Sequence, residues 1–171
     1  MGLAKVTVFD HNFGCTEEFT IGGEEEFQIV DPETFELTNA FESFSQAATS
    51  MVKVRLEREL IESEVEIFTA ICSDIRQLRQ EITLNRQILK DLALKNGLRL
   101  AAAGAHPFSH WQNQQITNNR YYQRLLRNFQ WVLRQNNSFG HHVHIGINDP
   151  EKAIRVANAI RSYLPHLLAL S

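Results

Sequence analysis

Any fold adopted by this chain has to accommodate the segment Gly22-Gly23-Glu24-Glu25-Glu26-Phe27-Gln28-Ile29-Val30, where three consecutive carboxylates sit inside a run that otherwise favours a strand. Successive side chains on a strand point to opposite faces. In extended form Glu24, Glu26 and Gln28 line one face, and Ile21, Glu25, Phe27 and Ile29 line the other. Two carboxylates about 7 Å apart on one strand face repel each other unless water or a cation lies between them. A solvated sheet face and a metal-binding face both satisfy this condition. The choice between them depends on whether other strands bring similar groups.

The 171 residues are enough for one domain with a substantial core. A content of 43% hydrophobic and 22% charged residues is that of a globular chain and excludes wholesale disorder. The formal net charge of −3, without a basic cluster, leaves no electrostatic footprint for nucleic acid. No apolar run reaches the length of a membrane span, and the N-terminus has no signal-type apolar segment. Cys15 and Cys72 form neither a metal-type spacing nor a disulfide framework, which predicts reduced thiols in a cytoplasmic protein.

Along the chain, Val6 and Val8 suit a short strand, and Asp10 to Gly14 a turn. Phe19 to Val30 reads as the opening strand, ended by Asp31-Pro32-Glu33-Thr34. From Asn39, Phe41, Phe44, Ala48 and Val52 recur with helical rhythm. Between Val54 and Phe68 the period changes to two, which predicts two strands or one broken near Glu59. In the second part Glu62, Glu64, Glu66 and Phe68 share a face, opposite Ile61, Ser63, Val65 and Ile67.

Ser73 or Asp74 is placed to cap a long helix with Ile75, Leu78, Ile82, Leu89 and Leu92 on its buried stripe, stopped at Asn96-Gly97. Leu98 to Ala103 reads as a strand, and Gly104 to Pro107 as a loop. Residues 109–118 form a polar, amide-rich surface or cavity-lining loop. A helix is expected from Asn119 to Arg134. Ser138 to Ile147 is the last strand, with Phe139, Val143, Ile145 and Ile147 as an apolar face and Gly140, His142, His144 and Gly146 opposite. Asp149-Pro150-Glu151 starts a helix that packs through Ile154, Ala157 and Ile160. The apolar stretch from His166 to Ser171 reads as a helix start cut short.

Half-polar alternation favours a sheet with one covered and one open face, hence antiparallel rather than doubly wound pairing. The expectation is an α/β (α+β) sandwich, a mainly antiparallel sheet with one polar concave face and helices on the other. Residues 1–18 are read as an N-terminal extension and residues 19–171 as the domain proper.

Three strands supply ligand-type groups to that polar face: Glu24 and Glu26, Glu62 through Glu66, and His142 with His144. Carboxylates with one or two imidazoles suit Mg²⁺ or Mn²⁺, and the weight of oxygen over nitrogen and sulfur argues against structural zinc. No Gly-rich phosphate loop and no dinucleotide fingerprint is present, so a bound nucleotide would depend on metal ions for its phosphates. Glu25 and Glu64 are expected to be solvated or ion-paired. His141 is read as a core or interface histidine, Trp111 and Trp131 as packing residues, and at least one of Tyr121 and Tyr122 as core.

The ordered motifs carry a resemblance. Gly22-x-Glu24-Glu25-Glu26-Phe27-Gln28-x-Val30-Asp31-Pro32-Glu33-Thr34 resembles the opening of the carboxylate–amine ligases, the type 2 glutamate–cysteine ligases. Val65-Glu66-x-x-Thr69-x-x-Cys72, Ala102-Ala103-Gly104-Ala105-His106-Pro107-Phe108 and Gln115-x-Thr117 with Arg120-Tyr121 continue it. Phe139-Gly140-x-His142-Val143-His144-Ile145-Gly146 and Leu167-Leu168-Ala169-Leu170-Ser171 complete it. Gly23 and Ala105 depart mildly from the residues usual in that family. The resemblance implies a glutamine synthetase-like fold, Mg²⁺ (or Mn²⁺) and ATP, and amide formation through an acyl phosphate, the chemistry of glutathione biosynthesis. It implies Glu24, Glu26, Glu66 and His142 as metal ligands and His144 near the phosphates or substrate, with Glu59 a weaker ligand candidate. His106 and Arg120 are implied weakly as substrate contacts.

The resemblance covers only the N-terminal half of such an enzyme. The partners it implies are a small-molecule carboxylate and amine, together with a homo-oligomer or a complementing C-terminal half. The alternative to a ligase is a truncated, inactive homologue that binds nucleotide or metal, or a half-enzyme needing a partner chain. A metal-dependent hydrolase on the same face is a third reading, for which the sequence offers no activated nucleophile.

Overall fold

The structure, a computed structural model, describes residues 13–170. The strand expected at Val6 and Val8 lies outside them, as does most of the turn expected from Asp10. The chain divides into two compact units, Ile21–His144 on one hand and the two chain ends, Met1–Thr20 with Ile145–Ser171, on the other.

In the larger unit β1 (Ile21–Val30) is the central strand. It pairs antiparallel with β3 (Glu64–Phe68) on one side and with β4 (Arg99–Ala101) on the other. The short β2 (Leu56–Glu57) extends the sheet beyond β3, also antiparallel, and β5 (His141–Ile145) pairs with β1. The expectation of a mainly antiparallel α/β sheet therefore holds. β1 begins two residues later than predicted, because Phe19 takes a positive φ of 63° that a strand does not allow.

The register explains the two faces. Glu24, Glu26 and Gln28 lie opposite Phe68, Glu66 and Glu64, and directly paired residues share a face. The other face carries Phe27 and Ile29 with Val65, Ile67 and Leu56, all buried in one cluster with Phe41, Phe44, Leu89 and Leu92. Those last four come from α1 (Phe41–Ala47) and α3 (Ile75–Lys95), which form the helix layer. Gly23 lies on this side: a Cβ there would come within 3.3 Å of Leu78 Cδ1, so its bare backbone lets α3 approach closely.

Glu25 also points to the helix layer and is ion-paired as expected. Arg86 Nε on α3 donates to both of its carboxylate oxygens at 3.1 Å, with Glu25 only 6% exposed. Asp74 is the N-cap of α3, accepting from the backbone N–H groups of Arg76 and Gln77.

Several expected elements are corrected. The helix read through Val52 is broken at Ala48 and Thr49, whose extended ψ values of 140° and 162° separate α1 from α2 (Ser50–Lys53). Ile75 is not on the buried stripe of α3 but exposed, while Asn85 is buried and donates to the Phe68 carbonyl at 3.1 Å. A polar residue can occupy that stripe because it satisfies the backbone at the end of β3. Glu62 lies outside β3 and leaves the carboxylate row, pairing with Arg58 at 3.2 Å while its N–H donates to the Gln115 carbonyl.

α4 (Arg120–Arg134) forms with Asn119 as its N-cap, but it buries no residue completely, and Trp131 is exposed rather than packed. The apolar face expected on β5 is likewise exposed at Val143, and His141 is exposed too. Alternation identifies such a face, but only a covering layer buries it. In the smaller unit α5 (Pro150–Ile160) has Asp149 as N-cap, and α6 (Leu164–Leu170) follows. Ile154 and Ile160 are exposed rather than packed. Both cysteines are free, Cys15 exposed and Cys72 buried. Among the described residues no helix is long and apolar enough to cross a membrane.

Candidate metal and nucleotide face

The polar face of the sheet gathers its acidic side chains because antiparallel register carries the alternation of one strand onto the next. Glu57 on β2, Glu66 on β3 and Glu26 on β1 are successive cross-strand partners, so three carboxylates form a row across three strands. Glu64 lies opposite Gln28 in the adjoining row. β5 brings two imidazoles to the other flank of β1: His142 Nδ1 is 3.0 Å and His144 Nε2 is 3.1 Å from the same Glu24 oxygen, Oε2.

Gly140 makes a close approach possible at the start of β5. Its N–H donates to Glu26 Oε2, and its carbonyl accepts from the Glu26 N–H at 3.0 Å. A Cβ at this position would lie 3.0 Å from His142 Nε2 and 3.3 Å from Glu26 Oε2. Glycine is therefore the residue that allows backbone, carboxylate and imidazole to meet here.

A cavity of about 230 Å³ opens on this face, lined by Glu26, Glu59, Glu64 and His142 with Asn136, Ser138, Gly140, Leu60 and Phe139. Its electrostatics are those of crowded acids. Burial, then a hydrogen bond with Glu26 and the charges of Glu26, Glu59 and Glu66, push the Glu64 carboxyl up to about 10. Burial and the charges of Glu59, Glu24 and Glu26 push Glu66 up to about 7. Burial also raises Glu59, against the opposing hydrogen bond from Tyr122. At Glu24 burial acts upward, but the hydrogen bonds of His142 and His144 outweigh it and lower the carboxyl. His142 is raised in turn, chiefly by its bond to Glu24.

The arrangement fits a hard divalent cation in donor chemistry: many carboxylate oxygens, one or two imidazoles and no thiolate. Glu64 and Glu66 hold their protons to higher pH than a free carboxyl does, a shift that a cation's positive charge would oppose. The closure of such a site is not preformed, since among the described residues no three His, Cys, Asp or Glu side chains stand ready around one ion.

Of the residues singled out in the sequence, Glu24, Glu26, Glu66, His142 and His144 share this face. His106 and Arg120 are held elsewhere in the same unit. His106 Nδ1 accepts from the Ser109 N–H at 3.0 Å, so Nε2 carries the proton and donates to the Phe35 carbonyl at 2.9 Å. Both ring nitrogens thus clamp one loop to another. Arg120 is exposed at the first turn of α4.

The expectation that Glu64 is solvated or ion-paired is corrected. It is 4% exposed and its nearest charged company is acidic. Its place in the alternating row with Glu66 was the available signal. Glu57 was not singled out, because the alternation from Val54 does not show that β2 would align it with Glu66.

Comparison with known proteins agrees with these features. A sequence model of glutamate-cysteine ligase family 2 matches residues 20–171. A protein of Sorangium cellulosum named "Putative glutamate--cysteine ligase 2" is 44% identical over 156 residues, covering 90% of this chain and 42% of the relative. Proteins with the same name from Herpetosiphon aurantiacus and Solibacter usitatus are each 42% identical over 153 residues. They cover 90% and 89% of this chain, and 40% of each relative. The chain spans about two fifths of the length of the curated relatives it matches.

Proposed function

Starting from glutamate-cysteine ligase family 2, to which this chain belongs, we propose that it serves as the metal- and nucleotide-binding part of an ATP-dependent carboxylate–amine ligase acting in the cytoplasm. The observation that carries the reading is the polar sheet face, where Glu26, Glu59, Glu64 and Glu66 crowd until two of them hold protons near or above neutrality. A protein fold tolerates such repulsion where a cation normally relieves it.

Glu24, Glu26, Glu66 and His142 would hold Mg²⁺ or Mn²⁺, and His144, on the same β5 face, would meet the phosphates. When bound, the metal supplies neutralisation of phosphate charge. In the reaction an oxygen of the substrate carboxylate attacks the γ-phosphorus of ATP and ADP leaves, giving an acyl phosphate. The free amine then attacks the acyl carbon, phosphate departs, and the nitrogen loses a proton. This chain contributes positioning and charge: Gly140 and its neighbours fix Glu26, and the two histidines fix Glu24. His106 would act on substrate indirectly, by holding the loop it clamps, and Arg120 as an exposed cation for a carboxylate. The relatives' names specify glutamate and cysteine, and we take the substrates to be an amino-acid carboxylate and an amine of that class.

The test is phosphate release by the 171-residue chain with ATP and Mg²⁺. Release that requires both glutamate and an amine supports the ligase. Nucleotide binding without release in any combination supports a binding homologue, or a half-enzyme completed by another chain or a second copy. Failure to bind either Mg²⁺ or nucleotide overturns both.

A further inference from the structure

The sequence motif from Gln115 to Tyr121 supplies Arg120 to the proposed function, and the structure packs its Ile116 and Thr117, with Tyr122 just beyond it, around Glu59. Thr117, fully buried, donates through Oγ1 to the Glu59 carbonyl at 2.5 Å, and its N–H donates to the Leu60 carbonyl at 2.9 Å. Ile116 bridges to Ile61, so this segment runs antiparallel beside Glu59-Leu60-Ile61. Two residues past Thr117, Asn119 caps α4 by accepting from the Tyr122 N–H at 2.8 Å. The cap fixes the first turn of α4 and hence the direction of the Tyr122 ring. That ring packs on the cluster containing Leu60, Ile61 and Phe139. Its hydroxyl donates to Glu59 Oε2 at 2.9 Å, with the Arg58 carbonyl more distant at 3.5 Å.

We propose that Tyr122 is a positioning residue: carried by the capped first turn of α4, it holds the Glu59 carboxylate toward the cavity shared with Glu26, Glu64 and His142, and so sets the affinity of this face for a divalent cation. The inference rests on the proposed function, in that the face binds a cation. A glutamate carboxylate free to turn about its three side-chain torsions samples many orientations, and a hydrogen bond from a packed phenol removes most of that freedom without adding charge. Losing such an outer contact costs metal sites about tenfold in affinity or more.

The experiment titrates Mn²⁺ alone into the 171-residue chain and reads free Mn²⁺ by electron paramagnetic resonance. Tyr122→Phe keeps the ring packing and removes only the hydroxyl, so about tenfold weaker binding is expected. Glu59→Gln is expected to weaken binding at least as much, and the double variant no further than Glu59→Gln alone. Additive losses would assign Tyr122 a general structural role and overturn the proposal, as would unchanged binding in Tyr122→Phe beside a loss in Glu59→Gln. Absence of Mn²⁺ binding in the unaltered chain would overturn the proposed function itself, and this inference with it. Should Tyr122→Phe not fold, the unaltered chain still decides the matter through its tyrosine difference absorbance on Mg²⁺ addition. A signal abolished by Glu59→Gln supports the proposal, and a signal that survives, or none at all, overturns it.

Discussion

Glu26 on β1 and Glu66 on β3 are direct cross-strand partners on the polar face, with Glu66 8% exposed. Like charges placed opposite one another destabilise a sheet, and here burial is the larger cause, adding to the repulsion to hold Glu66 up to about 7. Replacing Glu66 by Gln keeps the shape and removes the charge. The metal-free chain should gain about 1 kcal/mol at pH 8, and thermal unfolding with and without Mg²⁺ should show that the cation no longer stabilises the variant. A variant that unfolds instead would mark Glu66 as a structural residue.

The pH dependence follows from the same groups. A carboxyl raised in the folded state makes that state bind more protons than the unfolded one, so stability falls as pH rises between the two values. For Glu66 the window runs from 4.5 to about 7 and for Glu64 from 4.5 to about 10. His142, also raised, acts in the same direction above 6.5. Glu24 is lowered and acts oppositely: its contribution is present above 4.5 and lost as pH falls below. The metal-free chain should therefore be most stable in mildly acidic buffer and lose several kcal/mol by pH 8. Denaturant unfolding at pH 5 and pH 8 measures this, and saturating Mg²⁺ at pH 8 should restore most of the loss.

Gly140→Ala tests the close approach at β5. The added Cβ meets His142 Nε2 at 3.0 Å and Glu26 Oε2 at 3.3 Å, both at the ends of side chains that can give way. Stability should change by less than about 1 kcal/mol, whereas Mn²⁺ affinity should fall severalfold because both candidate ligands are displaced. Equal losses in the two measurements would count against this division.

On the opposite face, Arg86→Leu leaves Glu25 buried without its partner. Because the Arg86 side chain is 56% exposed and the Glu25 side chain 8%, water relieves part of the penalty, and a loss of about 2 kcal/mol is expected. The double variant Glu25→Leu, Arg86→Leu should recover most of it in chemical denaturation, with Mg²⁺ binding unchanged. Failure to recover would mean that the pair contributes more than mutual neutralisation.

Much of this architecture was legible along the chain, for local reasons. The period of two in Glu24-Glu25-Glu26-Phe27 separates a carboxylate-bearing face from a core face before any partner is known, since side-chain direction on a strand is a property of the backbone. The cap at Asp149, and the choice of Ser73 or Asp74 before α3, were legible because such a cap is satisfied within three residues of itself. The family motifs then indicated which of the acidic residues to follow.

What the chain's pattern could not supply depends on partners distant in sequence. Whether an apolar stripe is buried is decided by what packs on it, which is why β5, α5 and the exposed end of α3 defeated expectation. Whether a glutamate is ion-paired or crowded is decided by register. Glu25 found Arg86 across 61 positions, whereas Glu64 found the acidic Glu26. The triplet Glu24-Glu25-Glu26 could be divided by alternation alone, because adjacent side chains on a strand must diverge. The different chemistry of its three members required folding, because the histidines of β5, the helix α3 and the carbonyl of Gly140 reach them only when the sheet closes.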